Sequence, residues 1–311
     1  MFDQLHDARV RTAAFEWMRE EVDRHGDVLQ RNHLLRGFEV YGQRVPLVSA
    51  AQGIFKPKVL QLPLSIMTTP KGPYDDGFGP DNILQYRYRG TDPSHPDNVG
   101  LRNVAKRRLP LIYFHGVVSG KYLSVWPVFV IDEDPAHLSF LVLVDDADHI
   151  GLSIDTEASL LEVHEPADEG RRRYLTSLVR RRLHQRAFRE RVLAAYREQC
   201  SFCRFRHAEL LDAAHITPDS DEMGEPLVIN GLALCKFHHA AFDRGFLGVR
   251  PDHVLEVRQD LLDEHDGPTL VHGLQRLHGT TIHIPKKKTL RPAEDRLAHR
   301  YELFLEAGRA A

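Results

Sequence analysis

The chain is short of several things. Its 311 residues include only three cysteines, too few for a disulfide framework. No apolar run approaches the eighteen or so residues of a membrane-spanning helix. The N-terminal stretch MFDQLHDARVRTAAFEWM carries charge throughout and lacks the apolar core of a secretory signal. Neither sign of charge dominates: 41 Lys and Arg against 44 Asp and Glu leave a net charge of −3. The whole chain is therefore no polycation, and affinity for a polyanion has to come from local basic faces. Internal repeats and low-complexity tracts are also missing. These absences lead us to expect a cytoplasmic protein with no membrane partner. What is present, 42% hydrophobic and 27% charged residues, is the composition of an ordinary globular chain, long enough for two cores.

All three cysteines fall in one stretch, CSFCRFRHAELLDAAHITPDSDEMGEPLVINGLALCKFHHAAFD, residues 200–243. Cys200 and Cys203 form a C-x-x-C pair, and Cys235 and His238 a C-x-x-H pair. Two such pairs can close around one tetrahedral Zn²⁺ at about 2.0–2.3 Å. The competing reading is three buried apolar cysteines beside a chance histidine. A closed four-ligand zinc is structural, because no position is left for substrate. Chemistry must then come from residues the zinc holds in place: His215 in DAAHITP, Asn230 in INGLALC, and His239 and Asp243 in HHAAFD.

That order resembles the HNH nuclease family, which has a ββα-metal fold. The resemblance implies that His215 is the general base that deprotonates water. Asn230 matches the middle N of the motif, and His239 or Asp243 the terminal position. His239 and Asp243 would hold a catalytic divalent ion, Mg²⁺, Mn²⁺ or another. Many HNH proteins carry Asp or His directly before the base; here that position is Ala214, and Asp212 or His239 would fill the vacancy. The chemistry suits phosphodiester hydrolysis. A neutral imidazole activates water near pH 7, and a hard cation with open positions relieves charge on the phosphate and the leaving oxygen. A zinc-stapled DNA-binding knuckle without catalysis is the alternative.

Upstream, residues 4–25 read as an amphipathic helix with Val10, Ala14, Trp17, Met18 and Val22 on one stripe, ended by His25-Gly26. It is most simply a docking face for the next domain. Residues 28–150 hold six strand-like runs, VPLVSA, VLQLPLSIMTT, ILQYRYRG, LPLIYFHGV, VWPVFVI and LSFLVLVDD, separated by Pro, Gly and Asp clusters. They argue for a curved sheet or barrel. Within them, GPYDDGFGPDNILQYRYRGTDPSHPDNVGLRN resembles the SRA domain of the PUA-like barrel superfamily, which flips a modified cytosine out of duplex DNA. Tyr74-Asp75-Asp76, Tyr88-Arg89-Gly90, Asn98 and Pro110-Leu111-Ile112 carry the resemblance. It implies stacking of the flipped base on Tyr74 and Tyr88 and a carboxylate, Asp76 or Asp75, accepting from the cytosine N4 amino group. Arg89 stands where many members have Thr, beside the gap for the C5 substituent. The alternative makes the tyrosines barrel-core aromatics and the Asp pair a turn. Lys56 and Lys58 flank Pro57 in QGIFKPK, a phosphate-contacting loop or a solvated one.

An acidic stretch at 152–170 reads as a linker. RRRYLTSLVRRRLHQRAFRERVLAAYREQ, residues 171–199, then reads as a helix whose stripe is Leu175, Leu178, Val179, Leu183, Phe188, Val192 and Ala195. Its arginines, among them Arg180, Arg181 and Arg186, are candidate contacts to the DNA backbone. FLGVRP, VLEVRQ, TLVHGL and TTIHIP read as strands, and 293–308 as a closing helix. This tail resembles extensions of some bacterial HNH restriction enzymes that clamp DNA or a second subunit.

The expected fold is α+β. An N-terminal helix (1–30) leads to an SRA/PUA-like β-barrel (31–165), a basic helical connection (166–199) and a zinc-stapled ββα-metal HNH domain with its extension (200–311). As a whole the chain resembles modification-dependent, type IV-like restriction endonucleases of the McrA-like SRA–HNH kind. The resemblance implies flipping of 5-methylcytosine or 5-hydroxymethylcytosine in double-stranded DNA and one-metal hydrolysis nearby. Each HNH site cuts one strand, so a homodimer is expected. Other readings are an HNH nuclease specific for unmodified sequence or phosphorothioate, a non-catalytic zinc regulator, and a toxin-like RNase.

Overall fold

The computed structural model describes residues 2–49, 52–70, 83–144, 169–218, 221, 224–265 and 267–310. The chain divides into two units, Met1–Arg186 and Ala187–Ala311. The division falls inside one long helix rather than at either of its ends. Among the described residues, no helix is long and apolar enough to cross a membrane.

The first unit opens with α1 (Gln4–His25). The Asp3 carboxylate caps it, accepting from the His6 N–H at 3.0 Å, and Gly26 at φ 80° ends it. Then come β1 (Val28–Gln30), α2 (Arg31–Arg36), β2 (Phe38–Val40), β3 (Gln43–Val45), β4 (Ile54–Phe55), β5 (Ser65–Thr68) and β6 (Leu84–Arg87). They are followed by α3 (Pro96–Lys106), β7 (Leu111–Val118), β8 (Lys121–Asp134), β9 (Ser139–Val144) and α4 (Glu169–Ala195). Seven strands make one sheet in the order β4-β5-β7-β8-β9-β6, with β1 also on β8. β5 and β7 run parallel. The path is open among the described residues, a half-barrel rather than the closed barrel expected. Its curl brings β6 back toward β5, where the Tyr86 hydroxyl donates to the Met67 carbonyl at 3.2 Å.

Val10, Ala14, Phe15 and Met18 of α1 enter one core with Leu29, Phe38, Leu64, Ile112 and Phe114 of the sheet side. The helix stripe therefore docks as expected, with Phe15 added, and Trp17 and Val22 at the margin. A buried Arg11–Asp7 pair at 2.6 Å fastens it, since Arg11 also donates to the carbonyls of Pro110 and Pro63. With all its polar groups satisfied this buried pair does not strand a charge.

Of the six expected strand runs, VPLVSA contributes only its first residue to a strand, and VLQLPLSIMTT shortens to Ser65–Thr68. Prolines at 46, 57 and 63 remove ladder donors there. α3 was not anticipated: Pro96 starts it and His95 caps it, but Gly100 and sparse apolar residues hide its period.

The second unit contains β10 (Leu211–His215), β11 (Gly231–Cys235), α5 (Lys236–Asp243), β12 (Leu247–Val249), β13 (Leu255–Val257), α6 (Gln259–Asp263), α7 (Pro268–Gly273) and α8 (Glu294–Ala310). TLVHGL, read as a strand, is α7, begun by Pro268 at a first-turn position. α8 of the tail packs onto the unit. Leu297 and Phe304 of α8 are buried, and Gly248 leaves room for the Phe304 ring, which would lie 2.5 Å from an added Cβ.

Candidate active site

β10 and β11 pair antiparallel with Leu211 opposite Cys235 and His215 opposite Gly231. α5 follows β11 without a gap. This hairpin and helix put the motif residues into two clusters.

The first cluster is Cys200, Cys203, Cys235 and His238, whose ligand atoms all lie within 4.8 Å of one another. His238 Nδ1 is 3.5 Å from Cys200 Sγ and 3.2 Å from Cys235 Sγ. Its other nitrogen, Nε2, donates to the Gly273 carbonyl at 2.8 Å. That bond selects the tautomer that aims an Nδ1 lone pair at the sulfurs, as an outer partner does for a metal-bound imidazole. Cys200 and His238 are buried, and Cys203 is exposed. Three sulfurs and one imidazole in this spacing suit a tetrahedral Zn²⁺. Burial pulls the His238 pKa down, but Cys200, Cys235 and the Gly273 carbonyl outweigh it and raise it to about 10. Contacts from Cys200 and Cys203 lower Cys235, while Cys200 and Cys235 raise Cys203.

The second cluster centres on His239, the next residue of α5. Its Nδ1 is 3.6 Å from Asp212 Oδ2, and its Nε2 is 3.3 Å from Asp243 Oδ2, one turn along the helix. Strand alternation puts Asp212 and Ala214 on one face of β10, so Asp212 reaches the side from which Ala214 has no ligand to offer. The structure therefore brings Asp212, His239 and Asp243 together instead of choosing among them. They do not converge on one point, because each carboxylate meets a different nitrogen. Arg189 Nε also stands 3.7 Å from Asp212. Asp212 chiefly raises the His239 pKa, against burial, and Asp243 adds to it. Burial raises Asp212, but His239, the Ala213 N–H and Arg189 prevail, so its pKa is lowered. The donors that suit a divalent ion with open positions are Asp243 and one nitrogen of His239, with Asp212 orienting the ring.

His215 ends β10, half-buried. The Phe188 ring of α4 lies flat against it, centroids 4.1 Å apart and planes within 17°. Gly231 pairs with His215 directly under this helix, where an added Cβ would meet Val192 at 2.5 Å and Phe188 at 3.0 Å. Asn230 is fully buried. Its Oδ1 accepts from the Thr217 N–H at 2.9 Å, and its amide donates to the carbonyls of Thr217 and Glu225 at 3.0 and 3.1 Å. Its side chain closes the loop between the strands. Sequence reading missed Phe188 and Gly231 as supports of His215, and the Gly273 carbonyl as support of His238. A stripe phenylalanine, a strand glycine and a backbone oxygen carry no motif of their own.

In the first unit, Tyr74, Asp75 and Asp76 lie outside the described residues. Tyr88 is not an open stacking face. It packs on Phe140 at 4.7 Å, and its hydroxyl donates to Glu133 at 3.0 Å, which Arg102 pairs at 2.9 Å. Arg89 pairs with Asp97, and its backbone N–H donates to buried Asn98. Lys56 and Lys58 are exposed on either side of buried Pro57. Arg181 is exposed and Arg180 partly so. Arg186 is committed elsewhere: it and Arg182 both meet the Asp27 carboxylate, at 3.1 and 3.0 Å.

Residues 200–250 match the family described as HNH endonuclease. The chain thus contains an HNH endonuclease domain over those residues. No curated protein matches it. Among solved structures it is similar to a "Modification dependent TagI restriction endonuclease", at 16% identity and a TM-score of 0.28, over 91% of this chain and 88% of that one. It is also similar to the "Type IV phosphorothioation-dependent restriction endonuclease ScoMcrA", at 14% identity and a TM-score of 0.27, over 84% of this chain and 56% of that one.

Proposed function

We propose that the chain is a modification-dependent endonuclease that cuts double-stranded DNA through its HNH hairpin, with the first unit selecting 5-methylcytosine or 5-hydroxymethylcytosine. The observation that carries the nuclease half is His215 held at the end of β10 by Phe188, in one hairpin-and-helix with Asn230, His239 and Asp243. Neutral His215 takes a proton from water as the hydroxide attacks phosphorus, and the P–O bond to the leaving sugar oxygen breaks. A divalent ion on Asp243 and His239 would supply charge relief on the phosphate and the departing oxygen. Asp212, with Arg189 beside it, holds the His239 ring, and Asn230 holds the loop that follows the base. Zn²⁺ on Cys200, Cys203, Cys235 and His238 would fix the hairpin to α5. Cutting both strands calls for two such centres, hence a homodimer.

The selective half rests on the SRA-like motif and is supported by the curled half-barrel sheet. A second reading keeps the nuclease and changes the specificity, to unmodified sequence or phosphorothioate DNA. The packing of Tyr88 and Asn98 into the fold favours it, because neither is left to grip a base.

The test is cleavage with Mg²⁺ or Mn²⁺ of one duplex in four forms: unmodified, 5-methylcytosine, 5-hydroxymethylcytosine and phosphorothioate. His215→Ala serves as the control. Cutting confined to a modified cytosine, and lost in the variant, is expected. Cutting confined to phosphorothioate, or equal on all four, would move the specificity to the second reading. Cleavage that survives His215→Ala would remove this histidine from its role.

A further inference from the structure

Three side chains of the first unit converge far along the sequence from the nuclease motif. Glu21 and His25 stand four residues apart at the end of α1, a spacing that puts them on one face. Gly26 ends the helix, and after the three residues of β1 the chain returns in α2 with His33. His33 Nδ1 lies 3.3 Å from Glu21 Oε2, and His25 Nε2 lies 3.7 Å from the same oxygen. The two imidazoles meet edge to face, centroids 4.7 Å apart at 70°. All three ligand atoms fall within 4.8 Å of one another. A tetrahedral ion with bonds of about 2.0–2.2 Å spaces its ligands by roughly 3.3–3.6 Å, so little movement separates this arrangement from a coordination sphere.

A simple carboxylate–histidine ion pair fits less well. His33 Nδ1 is buried and makes no hydrogen bond among the described residues, although the carboxylate is near. A buried ring nitrogen without a hydrogen bond is unfavourable, and an ion in the gap would satisfy it. Glu21 is also the most enclosed of the three, its side chain 14% exposed. Its neighbour Arg24 approaches Glu20 at 3.1 Å but stays 3.8 Å from Glu21. That looser contact is to Oε1, so Oε2 is the oxygen that faces both histidines.

We propose that Glu21, His25 and His33 form a second metal site, for a divalent transition ion of the zinc class, with water completing the coordination. The set differs in kind from the Cys3His cluster. Two imidazoles and a carboxylate are harder donors than thiolates and accept Zn²⁺, Co²⁺, Ni²⁺ or Cu²⁺ by the usual affinity order. Three protein ligands leave the ion exchangeable. Its structural effect is to tie the end of α1 to α2.

The experiment uses the full chain, dialysed against Zn²⁺ alone and assayed for bound metal, beside His25→Gln and His33→Gln. His25 is half exposed at a helix end, so His25→Gln leaves the fold intact, and circular dichroism checks this. Each variant is expected to hold one zinc fewer per chain than the parent. Co²⁺ then assigns the loss. The Cys3His site gives thiolate-to-cobalt charge transfer, which stays in both variants, whereas visible d–d absorption without charge transfer disappears. Equal zinc in all three proteins, or cobalt spectra unchanged in His25→Gln, would overturn the site and leave an ion-pair cluster.

Discussion

His238 and His239 are neighbours on α5 and are built for opposite purposes. His238 is 2% exposed. One of its nitrogens is fixed by a carbonyl and the other faces sulfur, so the ring is already aimed at the thiols. His239 has a carboxylate at each nitrogen, so its ring is oriented while its proton is retained. The first arrangement is convergent and closed, and it suits permanent occupancy. The second is divergent and open, with a carboxylate drawn to each side of the ring. A helix turns about 100° per residue, so one step along α5 is enough to separate staple from chemistry.

Breaking the closed cluster should have the largest effect. Structural zinc contributes on the order of 10–16 kcal/mol in small zinc domains, so Cys200→Ser or Cys235→Ser should abolish cooperative unfolding of residues 187–311. Thermal melts with zinc analysis check it, and a variant that melts normally without zinc would refute the staple. Next, His215→Ala should cut cleavage by about 10²–10⁴-fold while duplex binding in gel shifts and zinc content stay unchanged. A smaller effect concerns the open cluster alone. Because the His239 pKa is raised, the proton that competes with the ion persists to higher pH. Apparent Mn²⁺ affinity should fall about tenfold per pH unit below that pKa, and Asp243→Asn should lower it at every pH; a flat titration would detach His239 from the ion. The same shift stabilises the fold below the unfolded value of about 6.5, and that gain is lost as pH rises through the raised one. Smallest of all, Phe188→Leu should cost about 1.5 kcal/mol or less in stability. It should also lower kcat without changing KM for the duplex or the zinc content. An unchanged kcat would make Phe188 mere packing.

The same contrast explains what could be read in the sequence. A Cys3His cluster declares itself because thiols are scarce and their spacing is local, so Cys200, Cys203, Cys235 and His238 stood out. His215, Asn230, His239 and Asp243 were found through their order in the chain. How Asp212 and His239 share the place left by Ala214 needed the strand face and the helix turn together. Supports made of shape were invisible: Gly231 is required by the helix above it, and Gly273 contributes only its carbonyl. In the first unit, α3 was hidden by Pro96 and Gly100, and α7 by Thr269 and Val271 imitating a strand. Tyr88 looked like a base platform because an aromatic beside Gly90 reads the same whether it faces a ligand or Phe140.

Asn230 has one more consequence. Its side chain joins both backbone groups of Thr217 to Glu225, and its own carbonyl accepts from the Ile216 N–H at 2.9 Å. The hairpin is therefore knotted off at its neck. Exchanging residues between 217 and 225 is therefore expected to leave the pairing of His215 with Gly231 in register. That makes this neck a grafting port to try, where a tag or an added segment spliced in is expected to leave the Cys200–His238 and His239–Asp243 clusters in frame.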